Sequence, residues 1–288
     1  MLILTGWGTV IFTFISFKNC NKKKCGGFAV GLALLGQFVC FSAAFAAGSY
    51  DLKSEIDGEK RLAKVYVGKA QSGEPQPLIL AFHGYGDNRI DFSRFVKLHK
   101  SWPQAIVAYP DGLKIPDAQG KLRSRGWQSS RNALGDRDLK YVDFLLKELA
   151  DRYKVDKRKI YATGFSNGAR FVFLLMGERT QAFAAFAPVG SAARQQELER
   201  MTTAKPVIYI IGREEGRRTI EAAQNTVEVI SKLNRSSKEQ SQWADNYVLF
   251  LPAKGGADFI FNLHKSGHVW PYDASDLIVR FFHQNPMN

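Results

Sequence analysis

Beyond residue 47 the chain alternates between two kinds of pattern. Short, nearly continuous apolar runs recur at 63–68 (AKVYVG), 78–84 (LILAFHG), 105–110 (AIVAYP), 159–164 (KIYATG), 183–190 (FAAFAPVG), 206–212 (PVIYIIG) and 258–264 (DFIFNLH). Several end at a glycine or proline, as expected of strands covered on both faces of a sheet. Between them lie stretches with helical spacing. In DRDLKYVDFLLKELADRY, Leu139, Val142, Leu145, Leu146 and Leu149 recur on one face, and Asp136 or Asp138 is placed to cap the start. Strand, helix and strand in series imply βαβ units, hence an α/β fold with a mostly parallel central sheet and helices on both faces.

The first 47 residues follow a different rule. An apolar run, MLILTGWGTVIFTFISF, precedes the basic KNCNKKKC and a second apolar run that ends in Ala44-Phe45-Ala46. Lysines, then apolar residues, then an A-x-A site make the pattern of a secretory signal; retained, the same segment is a membrane anchor, because both runs are near bilayer-spanning length. Positive charge between apolar segments stays on the cytoplasmic side, so under either reading the chain beyond Gly48 is delivered outside: secreted or periplasmic if the segment is cleaved, anchored to the inner membrane with its domain outside if it is not. Cleavage is the preferred reading, and membrane contact is expected only through this segment if it is uncleaved. Cys20, Cys25 and Cys40 all precede the cut, which leaves no thiol, disulfide or cysteine metal site beyond it. No composition break, repeat or low-complexity tract interrupts residues 48–288, which read as one domain behind a 1–47 signal or anchor region. The net charge of +13 favours anionic surfaces or polymers. No helix-turn-helix, RNA-recognition or zinc-finger pattern accompanies it, so nucleic acid is not an expected partner. Nothing in the pattern points to an oligomeric state.

Candidate chemistry centres on Gly164-Phe165-Ser166-Asn167-Gly168, the one G-x-S-x-G in the chain. Taken alone it reads as an ordinary turn serine. Its setting points to a nucleophile: KIYAT leads in as a strand, NGARFVFLLMG continues as a helix, and a strand-turn-helix elbow holds the hydroxyl clear of the sheet. Upstream, His83-Gly84-Tyr85-Gly86 follows the strand LILA, and the backbone N–H groups of Tyr85 and Asn167 are the expected oxyanion donors. Of the five histidines, His268 in KSGHVWP lies directly after the last strong strand pattern and is the candidate base; His83 reads as ordering its loop. The acid is expected between serine and base in chain order, and GREEGRR offers Glu214 and Glu215. With its arginines this loop reads equally as a solvated ion-pair turn. Residues 111–136 form a long polar stretch, either a rim over the site or a plain surface excursion.

LILAFHGYGDN, IVAYPDGL, Gly126-Trp127, VDKRKIYATGFSNGARFVFLL, FAAFAPVG and GHVWP together resemble the exported α/β-hydrolases of the polyhydroxybutyrate depolymerase and feruloyl esterase family over roughly residues 60–275. The resemblance implies a serine esterase acting on short hydroxyacyl, acetyl or feruloyl esters, with polymeric substrates included and no metal or organic cofactor. Ser166 is then the nucleophile and His268 the base. The family usually carries its acid in an H-G-T-x-D loop, where this chain has Ile211-Gly212-Arg213-Glu214-Glu215; counting from the glycine puts Glu215 at the aspartate position. A glutamate is one carbon longer, so the loop has to retreat or another residue has to serve. Trp127, Trp270 and Tyr85 either shape the acyl pocket or, for the tryptophans, belong to the core. Two other readings remain open: a serine peptidase on the same fold, and a catalytically weak hydrolase-like polymer-binding protein.

Overall fold

The computed structural model describes residues 48–70, 73–117 and 119–287, so the expected signal or anchor at 1–47 lies outside the described residues. No helix among the described residues is long and apolar enough to cross a membrane. The elements run β1 (Gly48–Ile56), β2 (Glu59–Val67), β3 (Gln76–Phe82), α1 (Arg89–Val96), α2 (Leu98–Ser101), β4 (Ile106–Pro110), β5 (Leu113–Pro116), β6 (Leu122–Gly126) and α3 (Arg137–Arg152). The second half adds β7 (Val155–Phe165), α4 (Asn167–Glu178), β8 (Ala185–Val189), α5 (Gln195–Leu198), β9 (Val207–Gly212), α6 (Arg217–Leu233), β10 (Ser236–Ala244), β11 (Tyr247–Pro252), β12 (Phe259–His264) and α7 (Ala274–Gln284). Ten strands form one sheet in the order β1-β2-β4-β3-β7-β8-β9-β12-β11-β10. Its middle, from β4 to β12, is parallel throughout, and antiparallel strands extend it at both ends.

Why the central strands read as unbroken apolar runs is visible in their alternation. Leu78, Leu80 and Phe82 of β3, with Val207, Tyr209 and Ile211 of β9, face one core, shared with Leu139 and Val142 of α3, Phe171 and Leu175 of α4 and Ile230 of α6. Ile79 and Ala81, with Ile208 and Ile210, face a second core on the other side, closed by Phe92 and Val96 of α1, Leu98 of α2 and Ile278 and Phe282 of α7. Each side chain points opposite to its neighbours along a strand, so a strand between two helical layers needs apolar residues at every position.

The start of α3 departs from expectation. Asp136 sits in the left-handed region at φ 57° and its carboxylate accepts from Gln128 Nε2 and Asn132 N. Asp138 accepts from Arg61 Nη2 at 2.8 Å and Gln128 N at 2.7 Å. Neither aspartate caps the helix. Gln128 does, its Oε1 accepting the N–H groups of Asp138 and Leu139 at 3.0 and 3.3 Å, which are the orphan donors of a first turn. The polar stretch 111–136 folds in part into the β5–β6 hairpin and is tied to α3 through Gln128.

Candidate active site

Ser166 is the single residue between β7 and α4 and has φ 55° and ψ −112°, a conformation costly for a side chain bearing a Cβ. Its surroundings hold it there: its N–H donates to Val189 O at 2.9 Å and its carbonyl accepts from Arg170 N at 3.1 Å. The two glycines of the motif are required by packing. A Cβ on Gly164 would stand 2.6 Å from the backbone of Gly168, and one on Gly168 would stand 2.1 Å from Phe82 O. Strands β3 and β7 and helix α4 thus meet backbone to backbone, directing the serine past the carboxyl ends of the parallel strands.

Two further loops complete a hydrogen-bonded line. His268 Nε2 lies 2.8 Å from Ser166 Oγ, and His268 Nδ1 lies 2.7 Å from Glu215 Oε1. A carboxylate accepts, so Nδ1 carries the proton and Nε2 presents a lone pair to the serine hydroxyl. The line forms because the loops after β9 and β12 press together. Arg213 N donates to His264 O at 2.8 Å and Glu214 N to Ser266 O at 3.3 Å, while a Cβ on Gly212 would fall 2.2 Å from Gly267 O. Glu215 N closes a tight turn on Gly212 O, and this turn sets the carboxylate at the right reach despite the extra carbon. Glu215 is mostly buried behind the half-exposed imidazole, whereas Glu214 is exposed and makes no hydrogen bond to His268 among the described residues.

On the opposite side of Ser166 runs the His83–Gly86 loop. A Cβ on Gly84 would lie 3.5 Å from Ser166 Cβ, so the loop backbone passes directly beside the serine. Gly86 N donates to Arg125 O, while the N–H groups of Tyr85 and Asn167 have no acceptor among the described residues. Asn167 spends its side chain on the loop: Oδ1 accepts Trp127 N at 2.7 Å. His83 is fully buried, with Nδ1 2.7 Å from Gly84 O and Nε2 accepting Gly112 N at 2.9 Å. Both ring nitrogens are thereby occupied, and burial holds its pKa below the ordinary histidine value. It orders the loop.

Both tryptophans are packed into the core, and Trp270 also borders a cleft lined by Phe95, Lys100 and Tyr272. Trp127 is fully buried, stacked on Phe171 and edge-on to Phe82, and its indole N–H donates to His83 O at 2.9 Å. Trp270 is 7% exposed, packs edge-on to Phe92 and donates to Ser275 Oγ. Tyr85 is the exposed aromatic beside the serine, at 54%. Sequence reasoning missed Arg170, one turn beyond Ser166, whose Nε donates to Ser191 Oγ at 3.0 Å; its i+4 spacing from Ser166 was the available signal.

No family model matches the chain. It is 24% identical over 179 residues to a bifunctional acetylxylan esterase/xylanase of Neocallimastix patriciarum, covering 62% of this chain and 24% of that protein, about a quarter of its length. It is 23% identical over 259 residues to NocK of Nocardia uniformis subsp. tsuyamanensis, which carries an esterase name, covering 75% of this chain and 72% of NocK. Among solved structures, the acetyl xylan esterase of Aspergillus awamori superposes with a TM-score of 0.59 at 14% identity, covering 82% of this chain and 99% of that one. The feruloyl esterase module of Clostridium thermocellum gives 0.58 at 15% identity, covering 83% and 89%. Sheet order, elbow and structural similarities together give this chain the α/β-hydrolase fold.

Proposed function

We propose that residues 48–288 form an exported serine esterase that hydrolyses carboxylic esters through an acyl-enzyme, and that residues 1–47 deliver it as a signal or anchor. The observation that carries the reading is the hydrogen-bonded line Glu215–His268–Ser166 on a strained strand-to-helix elbow. In this reading His268 Nε2 takes the serine proton as Oγ attacks the ester carbonyl, and Glu215 holds the Nδ1–H tautomer and stabilises the imidazolium. The oxyanion forms against the N–H groups of Tyr85 and Asn167, the latter at the positive end of α4; one such donor is worth about 10²–10³ in rate. Protonated His268 then returns its proton to the departing alcohol. Water, deprotonated by the same imidazole, releases the acid. No step calls for a metal or organic cofactor.

The esterase names of the relatives and the acetyl xylan and feruloyl esterase neighbours support acetyl, short hydroxyacyl or feruloyl esters as substrates, polymer-borne ones included. The test is hydrolysis of p-nitrophenyl acetate, p-nitrophenyl butyrate and methyl ferulate by the purified protein beside Ser166→Ala. The substitution is expected to lower kcat by at least about 10³. Equal, slow hydrolysis by both proteins would sink the proposal and leave a polymer-binding role; turnover of peptide amides in preference to esters would point to a peptidase.

A further inference from the structure

Three arginines beside the acid loop are not consumed by ion pairs. A cleft of about 410 Å³ opens between α4, the loop after β8 and the first turns of α6, lined by Arg170, Arg194 and Arg218 together with Gln195, Thr219 and Asn225. That volume suits a small ligand or a substrate side group. Among the described residues no carboxylate forms an ion pair with any of the three guanidinium groups, whereas the adjacent Arg217 is paired with Glu221 at 2.8 Å. Arg194 reaches only the Ser129 carbonyl at 3.4 Å, and Arg170 spends its Nε on Ser191. Burial first and Arg194 second lower the pKa of Arg170, with Glu197 and Glu215 offsetting this only in part. Glu197 is a weak counter-charge, because burial raises its own carboxyl to about 7.

The cleft adjoins the acid side of the catalytic line. Arg170 lies one turn along α4 from Ser166, its N–H bonded to the serine carbonyl at 3.1 Å. Ser191, which Arg170 holds, follows Gly190, where an added Cβ would stand 3.6 Å from His268 Cε1. Helix α6, bearing Arg218, begins two residues after Glu215. By contrast, a cleft of about 510 Å³ lined by Ala184, Pro206 and Asp258 lies at the amino ends of β8, β9 and β12, far from this chemistry.

We propose that the arginine cleft is an anion subsite of the active centre, in which Arg170, Arg194 and Arg218 hold a carboxylate carried by the ester a few bonds from the scissile carbonyl. The planar guanidinium fork matches a carboxylate two bonds at a time, and the partly desolvated Arg170, flanked by the like charge of Arg194, gains from an anion beside it. This rests on the esterase reading and narrows its substrates to acidic esters: half-esters of dicarboxylic acids, oligoesters ending in a free carboxylate, or esters of acidic sugars. The carboxylate belongs either to the acyl part or to the alcohol part.

Two ratios of kcat/KM separate those arms: p-nitrophenyl hemiglutarate over p-nitrophenyl valerate for the acyl side, and 3-carboxyphenyl acetate over phenyl acetate for the alcohol side. At least one ratio is expected to exceed about 10 at low ionic strength and to shrink markedly towards about 0.5 M NaCl. The same ratio is expected to fall roughly tenfold in the exposed variants Arg194→Gln and Arg218→Gln, with the loss residing in KM, and less in Arg170→Lys, which keeps the charge. Both ratios near one in the wild type, or ratios unmoved by the substitutions, would overturn the subsite. Calorimetric titration of glutarate into Ser166→Ala reads the same cleft without turnover. Binding there that Arg218→Gln abolishes, in a protein inert to every ester, would uphold the anion site and refute the esterase; hydrolysis of neutral esters without glutarate binding would do the reverse.

Discussion

At Ser166 a side chain is held where only glycine is comfortable, at φ 55° and ψ −112°. The cost is on the order of 1–3 kcal/mol and is carried by the surrounding hydrogen bonds and packing. Ser166→Gly is therefore expected to raise stability by about 1 kcal/mol, read as a higher Tm or denaturation midpoint, while removing the proposed nucleophile; Ser166→Ala keeps the strain and gains nothing comparable. A Ser166→Gly protein no more stable than Ser166→Ala would show the elbow to be relaxed. The same conformation is why this residue was legible in sequence: backbone geometry imposes glycines around the serine, and they announce it. His268 was legible for a related reason, since its loop must follow the last parallel strand. Glu215 was legible only by counting, because the length of its side chain gave no way to know how far the loop would retreat. Trp127 was ambiguous, as an indole packs equally well in a core or a pocket, and only its stacking on Phe171 separates the two.

Among elements, the junction of β2, β6 and α3 depends on one buried pair. Arg61 and Asp138 lie 2.8 Å apart with both side chains almost wholly buried, and the Arg61 guanidinium also sits 4.1 Å over the Tyr141 ring. Removing one partner strands the other in a medium that cannot hydrate it. Asp138→Ala is expected to cost about 3–5 kcal/mol, and Arg61→Met with Asp138→Leu together markedly less, measured by urea denaturation. If the single and double variants lose equal stability, the penalty does not come from an orphaned charge. None of this was readable in sequence, where Asp138 looked like a helix cap. Seventy-seven positions separate the pair along the chain, and periodicity speaks only of near neighbours. The central strands were legible because burial on both faces writes an unbroken apolar run. Strands β1 and β10 were not, because strands at the rim of a sheet bury little and carry mixed sequences such as SSKEQSQWA.

For the molecule as a whole, Glu197 shapes the dependence of stability on pH. Burial raises its carboxyl to about 7, and although Arg194 N donates to Oε2 at 2.6 Å, Oε1 has no partner among the described residues. Its folded value exceeds its unfolded one, so across the interval from the usual glutamate range to about 7 the folded chain holds a proton that the unfolded chain has released. Stability attributable to this group falls as pH rises through that window, and the penalty is complete above it. Glu197→Gln keeps an acceptor for Arg194 N and is expected to gain roughly 1–3 kcal/mol near pH 8 and little near pH 4. Parallel melts of both proteins at the two pH values check this; an equal gain at both would rule out ionisation as the cause.

Strand β7 occupies the middle of the sheet, yet the imidazole facing its serine comes 102 residues later, on the loop beyond β12. During synthesis the chain therefore carries Ser166 long before it carries a partner able to take the hydroxyl proton. Under the proposed mechanism, reactivity of that serine towards a fluorophosphonate becomes a certificate of completion: a nascent or truncated chain is expected to stay chemically silent, and a labelled molecule to be one that has closed its sheet from β7 to β12.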